Sequence, residues 1–228
     1  MSCVAIITAR GGSKRIPRKN IKEFCGKPII AYSIEAAINS KVFDEVMVST
    51  DDEEIADIAR KYGANVPFMR SEKTSNDYAT TADVLLEVIE EYKNCGKNFD
   101  NLCCIYPTAP FVTGDKLQDA YQKFIDGNNE SLIPVVEFSY PPLRGFCIVD
   151  NNLQYKWPEY EKSRSQDLDK IYHDAGQFYF SKVESVINNK SLIGGACTPF
   201  VLNDIEVQDI DTETDWKLAE LKYKMLHN

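Results

Sequence analysis

Up to residue 138, apolar runs of strand length alternate with segments of helical spacing, and no other feature narrows the fold of this chain as far. "CVAIIT" (3–8), "EVMVST" (45–50), "NLCCIY" (101–106) and "SLIPVVEF" (131–138) read as strands. "PIIAYSIEAAINS", "DDEEIADIARKYG", "TTADVLLEVIEEYK" and the stretch from about Thr113 to Asp126 read as the helices between them. Parallel neighbours in a sheet cannot be joined by a tight turn, so strand then helix, repeated, demands crossovers and an α/β fold with a mostly parallel sheet flanked by helices. Punctuation supports the second helix: Thr50 with Glu53 forms a capping box, and Gly63 suits the left-handed position beyond its end.

The rhythm then breaks. Residues 139–180 hold the turn-like "YPPLRG" and "DNNLQ", many aromatics, and the polar "EYEKSRSQDLDK" without a helical stripe. An excursion from the sheet is expected there, acting as an active-site lid or a dimerisation arm, since large aromatics and Arg are enriched at interfaces. Within and after it come the strand-like "AGQFYF", a short helix near "KVESVI", the strand "PFVLND", the extended "IEVQDID" and a last amphipathic helix "ETDWKLAELKYKML". There is no internal repeat, and residues 1–228 are read as one domain that contains the excursion.

At 228 residues the chain can bury a sizeable core. Its 43% hydrophobic and 27% charged composition is that of a soluble globular protein, and no apolar run approaches the roughly 20 residues a membrane span needs. The start "MSCVAIITARGG" has no basic stretch ahead of its apolar run, so it reads as a buried strand, not a secretory signal. Seven cysteines are an odd count, and Cys3, Cys103 and Cys104 lie in apolar strand-like runs where free thiols act as small hydrophobes. A reducing compartment, the cytoplasm, is expected. No CxxC or Cys/His pair has zinc spacing.

Net charge is -9, yet between Arg10 and Lys22 stand six Lys or Arg and no acid; without them the remainder would carry -15. A surface of that sign repels polyanions, which disfavours nucleic-acid binding. The basic stretch "ARGGSKRIPRKN" instead suits a small anion. It follows the first strand and so lies at the carboxyl edge of the sheet, where ligands of such folds bind. Gly11 and Gly12 permit close backbone approach and unusual dihedrals, so their N–H groups can face phosphate oxygens, with Arg10, Lys14, Arg15 and Lys19 as counter-charge. Neither GxxxxGK[ST] nor GxGxxG is present, so this is a different kind of triphosphate cradle.

In "QDIDTETD", residues two apart on a strand share a side, and Asp209 with Asp211 can present two carboxylates to one hard cation such as magnesium. The same acids also suit the start of a helix, where negative charge is favoured. Arg144 and Arg164 offer forks for a carboxylate substrate. His173 precedes Asp174, but adjacent strand residues point to opposite faces, which argues against a His/Asp couple. No GxSxG or activated cysteine supports a covalent nucleophile.

Taken together, "ARGGSKRIPRKN", "VSTDDEEIADIA", "YPTAPF" and "DIDTETD" resemble, in the right order and over nearly the whole chain, the CMP-sialic acid synthetase family of cytidylyltransferases. "YPPLRG", "WPEYEKSRSQDL" and "YHDAGQFYF" resemble most closely the members that act on pseudaminic acid. The resemblance implies a Rossmann-like nucleotidyltransferase fold, usually a homodimer. It implies transfer of CMP from CTP to the anomeric hydroxyl of an acidic nine-carbon sugar, with release of pyrophosphate and with magnesium as cofactor.

By position it places the nucleotide on Ala9, Arg10, Gly11, Gly12, Ser13, Lys14, Lys19 and Asn20, with the cytosine against Arg70, Ala79 and Thr81. Arg10, Lys14, Lys19 and Asp211 would be catalytic, and Asp209 and Asp211 the metal ligands. Tyr106, Arg144, Arg164 and Gln177 would face the sugar, Arg164 from either subunit. Tyr106 stands where sialic acid synthetases commonly have Gln, which points away from sialic acid itself. Another sugar acid (sialic, legionaminic or 3-deoxy-octulosonic) and a non-catalytic nucleotide-binding regulator are the alternatives.

Overall fold

Side chains on β1 (Cys3–Thr8) alternate between two cores: Cys3, Ala5 and Ile7 enter one, Val4 and Ile6 the other. Both faces of this strand are therefore covered, as a central parallel strand requires. The structure, a computed structural model, describes residues 1–227. A small ribbon of β2 (Glu23–Phe24) and β3 (Lys27–Pro28) follows β1, then α1 (Ile29–Ser40), β4 (Glu45–Ser49), α2 (Glu53–Lys61), the single turn α3 (Glu72–Ser75), α4 (Thr81–Asn94), β5 (Asn101–Ile105), α5 (Gly114–Gly127) and β6 (Ser131–Glu137). The later elements are the hairpin β7 (Phe146–Val149) and β8 (Asn152–Tyr155), then β9 (Tyr172–Asp174), β10 (Phe178–Lys182), α6 (Val183–Asn189), β11 (Cys197–Leu202) and α7 (Glu213–His227).

The main sheet runs β11-β6-β10-β5-β1-β4, with β9 also pairing β6. β4, β1 and β5 are parallel neighbours, as are β11 and β6; β10 is antiparallel to both β5 and β6, and β9 to β6. β9 and β10 are thus one antiparallel strand interrupted at Ala175–Gln177, through which Ala175 N–H still donates to Pro134 O (3.0 Å). The mostly parallel α/β sheet that the alternation predicts is what forms. One face packs on α1, α2 and α5 through Ile30, Ile34, Ile55, Leu117 and Phe124. The other packs on α4 and α6 through Leu85, Val88, Tyr92 and Val186. Among the described residues, no helix is long and apolar enough to cross a membrane.

Three local expectations change. Asp52, not Thr50, caps α2, its carboxylate accepting from Ile55 N–H (3.0 Å), while Gly63 does take a left-handed φ of +94°. The strand read at "AGQFYF" forms as β10, but the chain already returns to the sheet at β9, which pairs β6 along the free edge of its second half. "IEVQDID" is not a strand: it begins as a 3-10 turn (Asp204–Glu206) and then runs on irregularly. β11 is already the sheet's edge, and burial of Ile210 beneath α7 draws this segment away from it.

The seven cysteines are all free thiols. Cys3, Cys103 and Cys104 are fully buried, and burial pushes the Cys104 thiol up to about 12, so they behave as packing groups.

On β10, Phe180 is fully buried and stacks on Phe43 and Phe124 at ring separations of 6.0 and 5.9 Å. Phe180→Ala is expected to cost about 3–5 kcal/mol, read from the shift in urea midpoint.

Candidate active site

Because β1, β4 and β5 run parallel, their carboxyl ends at Thr8, Ser49 and Ile105 lie along one edge, and the three loops that follow meet there. Ile16 fixes the first of them. It is fully buried in a third cluster with Phe24, Ile29, Tyr32, Phe111, Ile210 and Trp216, so one apolar side chain anchors the middle of the cationic loop. The same cluster holds the loop after β5 through Phe111 and the segment before α7 through Ile210.

Within the loop, Asn20 is buried and donates to Arg10 O (2.9 Å), and Ser13 Oγ donates to Ile16 O (2.7 Å). Lys19 Nζ reaches across to Ile210 O (2.6 Å) and lies 3.5 Å from the Asp211 carboxylate. Arg15 pairs with Asp211 at 2.8 Å, Lys22 with Glu213 at 2.7 Å, and Arg18 with both Asp52 and Glu54. Arg10 and Lys14 share the Asp77 carboxylate at 2.8 and 2.5 Å. The loop contains no acid of its own, and other parts of the chain supply all of these.

Gly11 and Gly12 differ from expectation. Neither adopts a positive φ. A Cβ on Gly11 would meet Asp52 Oδ2 at 2.8 Å, and its N–H donates to Asp51 (2.8 Å); a Cβ on Gly12 would meet nothing within 4 Å. Close approach is therefore what position 11 needs, and it is an approach to the acids that follow β4.

Two cavities open on this edge. One, of about 410 Å³, is lined by Thr8, Arg10, Ser13, Lys14, Arg15, Lys19 and Asn20 on one side and by Tyr106, Pro107 and Thr108 on the other. The second, of about 250 Å³, includes Arg70, Asn76, Asp77, Ala79 and Thr81, and shares Thr8 and Arg10 with the first. The cation-lined space therefore continues into a smaller pocket. Arg70 is only 8% exposed; its guanidinium donates to Ser49 O (2.6 Å) and Ser49 Oγ (3.1 Å), and burial lowers its pKa. Tyr106 lies over Tyr179 edge to face at 5.4 Å, and burial raises its phenol.

The expected sugar-facing residues are less concentrated. Arg144 Nη1 lies 3.5 Å from Ser165 Oγ, and its Nε is buried without a partner. Arg164 is exposed and forks onto Asp167 (2.7 and 3.0 Å). Gln177 is buried, donating to Glu206 O (2.6 Å) and leaving Oε1 unpartnered. None of the three lines either cavity, unlike Tyr106. Asp211 joins the site through Arg15 and Lys19, whereas the Asp209 side chain is exposed and forms no ion pair among the described residues. No group of three or more metal-binding side chains occurs among the described residues. The strand geometry expected to set Asp209 and Asp211 on one side does not form; what remains is their donor type, carboxylate oxygens of the kind a hard cation takes alongside waters and phosphate.

His173 is exposed on β9, its Nδ1 2.9 Å from Asp174 O, while the Asp174 carboxylate accepts from Tyr179 OH (2.8 Å). Sequence reasoning missed Asp51, Asp52 and Asp77. The signal available was their place: two directly follow a strand, and the third stands beside the pocket residue Ala79.

The site is thus a cation-lined cleft at the carboxyl edge of a mostly parallel α/β sheet, opening into a smaller pocket. The CMP:2-keto-3-deoxy-manno-octonic acid synthetase structure, complexed with CTP, shares this fold, with a TM-score of 0.71 at 19% identity over 100% of this chain and 99% of that one. The family model described as cytidylyltransferase matches residues 4–193, and the chain belongs to that family. It is 47% identical to the pseudaminic acid cytidylyltransferase of Campylobacter jejuni over 100% of this chain and 98% of the relative. It is 34% identical to the CMP-N,N'-diacetyllegionaminic acid synthase of Legionella pneumophila, covering 96% and 95% of the two chains. The chain is thus a CTP-dependent nucleotidyltransferase.

Arg18 holds the Asp52 carboxyl below its ordinary value of about 3.9, and the Ile55 amide adds to this. A depressed folded value gives a contribution that is complete above the unfolded value and is lost as pH falls through the folded one. Asp52→Asn is therefore expected to flatten the fall of the urea midpoint with acid below about pH 5, with the largest difference from the parent at neutral pH.

Proposed function

We propose that this protein transfers CMP from CTP to the anomeric hydroxyl of pseudaminic acid, releasing pyrophosphate. The observation that carries the reading is the continuity of the two cavities through Thr8 and Arg10, one lined by cations and the other by Arg70, Ala79 and Thr81. Phosphates fit the first and a pyrimidine ring the second. The full-length likeness to relatives named for pseudaminic acid supports the sugar, as does Tyr106 beside the phosphate cavity.

In the transfer, the sugar's 2-hydroxyl oxygen attacks the α-phosphorus and gives up its proton to water, a new P–O bond forms, and the bond to the bridging oxygen of the β-phosphate breaks, that oxygen leaving with the pyrophosphate. This chemistry asks for alignment and charge balance more than for covalent help from the protein. Lys19, held by Ile210 O, is placed to balance the transferring phosphate. Arg10 and Lys14 balance the departing pyrophosphate, and Ser13 and Asn20 line the same cavity, whereas Gly11 and Gly12 lie outside both linings. Asp209 and Asp211 would hold magnesium, which when bound supplies further charge neutralisation at the phosphates. Arg144, Arg164 and Gln177 are assigned to the sugar acid on the resemblance alone, since all three lie outside the two cavity linings.

The excursion suits a homodimer. Its hairpin exposes Phe146, Ile148 and Leu153 at 53%, 75% and 66%, an apolar surface that a second copy would cover. The free cysteines suit the cytoplasm.

Pyrophosphate release from CTP is expected with pseudaminic acid and at least tenfold less with sialic, legionaminic or 3-deoxy-octulosonic acid. CTP binding without turnover on any of them would instead make the chain a nucleotide-binding regulator. Lys19→Ala is expected to lower kcat by about 10²-fold or more with unchanged circular dichroism, and near-normal turnover would remove Lys19 from the mechanism. Asp211→Ala should weaken the magnesium dependence of the rate; an identical magnesium titration would return the pair to a helix-start role. Ile148→Asp should shift sedimentation from dimer to monomer, and an unaltered profile would place any interface elsewhere.

A further inference from the structure

Asp77 contradicts the simplest picture of a phosphate cradle. The two cations best placed for the outer phosphates, Arg10 and Lys14, both end on its carboxylate, at 2.8 and 2.5 Å. Arg10 Nη1 also lies 3.4 Å from the backbone oxygen of Asn76, so the contact extends to the loop that carries Asp77. That loop is a tight turn in which Asn76 Oδ1 accepts from Tyr78 N–H (2.8 Å) and Ala79 N–H (3.1 Å). It supplies Asp77 and Ala79 to the smaller pocket. A carboxylate and a polyphosphate would compete for the same donors here, one from within the chain and one from solution.

The Asp77 side chain is 44% exposed and Lys14 is 77% exposed, so water screens the pairs and each is weak enough to exchange. Lys14 and Arg10 also hold the Asp77 carboxyl below the ordinary aspartate range, which favours its charged form.

We propose that Asp77 is an exchange carboxylate, holding Arg10 and Lys14 between turnovers, yielding them to CTP and taking them back as pyrophosphate leaves. Asp77 is a positioning residue acting through the two cations, and this role rests on the reading of the site as a CTP site. It lowers the affinity of the site for every anion that needs both cations, and so speeds product release at some cost in substrate binding. The sign is the reverse of that for a residue that binds nucleotide directly.

The test is calorimetric titration of the full-length protein with CTP and with pyrophosphate, for the parent, Asp77→Asn and Glu72→Gln. Glu72 is exposed on the neighbouring α3 and touches neither cation, so its variant removes the same charge without the contact. Asp77→Asn is expected to tighten both ligands in parallel by about threefold to tenfold, and Glu72→Gln by less than twofold. Pyrophosphate should become a correspondingly stronger product inhibitor. Weaker binding of either ligand in Asp77→Asn, or an equal gain in Glu72→Gln, would overturn the proposal. Should the parent bind neither ligand, the reading of the site itself fails and the proposal with it.

Discussion

A single isoleucine makes a cationic loop into a site. Arg10 to Lys22 would be a repelling string of charge if left on the surface, yet Ile16 is fully buried in the aromatic cluster beneath α7. Burying such a side chain is worth about 1.5–3 kcal/mol. The same cluster takes Phe111 and Ile210, so three loops from distant parts of the chain share one apolar anchor. Lys19 and Asp211, nearly two hundred residues apart in sequence, meet for that reason.

The second layer is electrostatic. Asp52, Asp77, Asp211 and Glu213 arrive from three other segments, each pairing with a cation of the loop. Exposed pairs of this kind contribute little to stability. Their consequence is positional: they hold long side chains on the cleft walls and leave the cations available for exchange. Cationic side chains thus line the cleft of a molecule whose net charge is -9.

The strand–helix alternation, the parallel sheet and the loop's place at its carboxyl edge were all legible from residues 3–138, because period and punctuation are local properties. Cys3, Cys103 and Cys104 were legible as buried thiols for the same reason. The cap of α2 was misread by two residues, since Thr50, Asp51 and Asp52 are all competent caps and the tertiary pull of Arg18 on Asp52 favours one. "EVQDID" has the alternation of a strand, but Ile210 had a better partner beneath α7 than a place on an edge.

The sequence by itself determined which groups this protein brings to its chemistry: a run of cations after the first strand, two adjacent glycines among them, and a carboxylate pair before the last helix. Only the tertiary structure decided which carboxylate each cation meets, that Arg10 belongs to both cavities, and that Arg144, Arg164 and Gln177 lie outside the cavity linings. Ion pairs and cavity walls are made between segments far apart in the chain. Their geometry follows from how the helices and the Ile16 cluster pack, and no local pattern of residues encodes that distance.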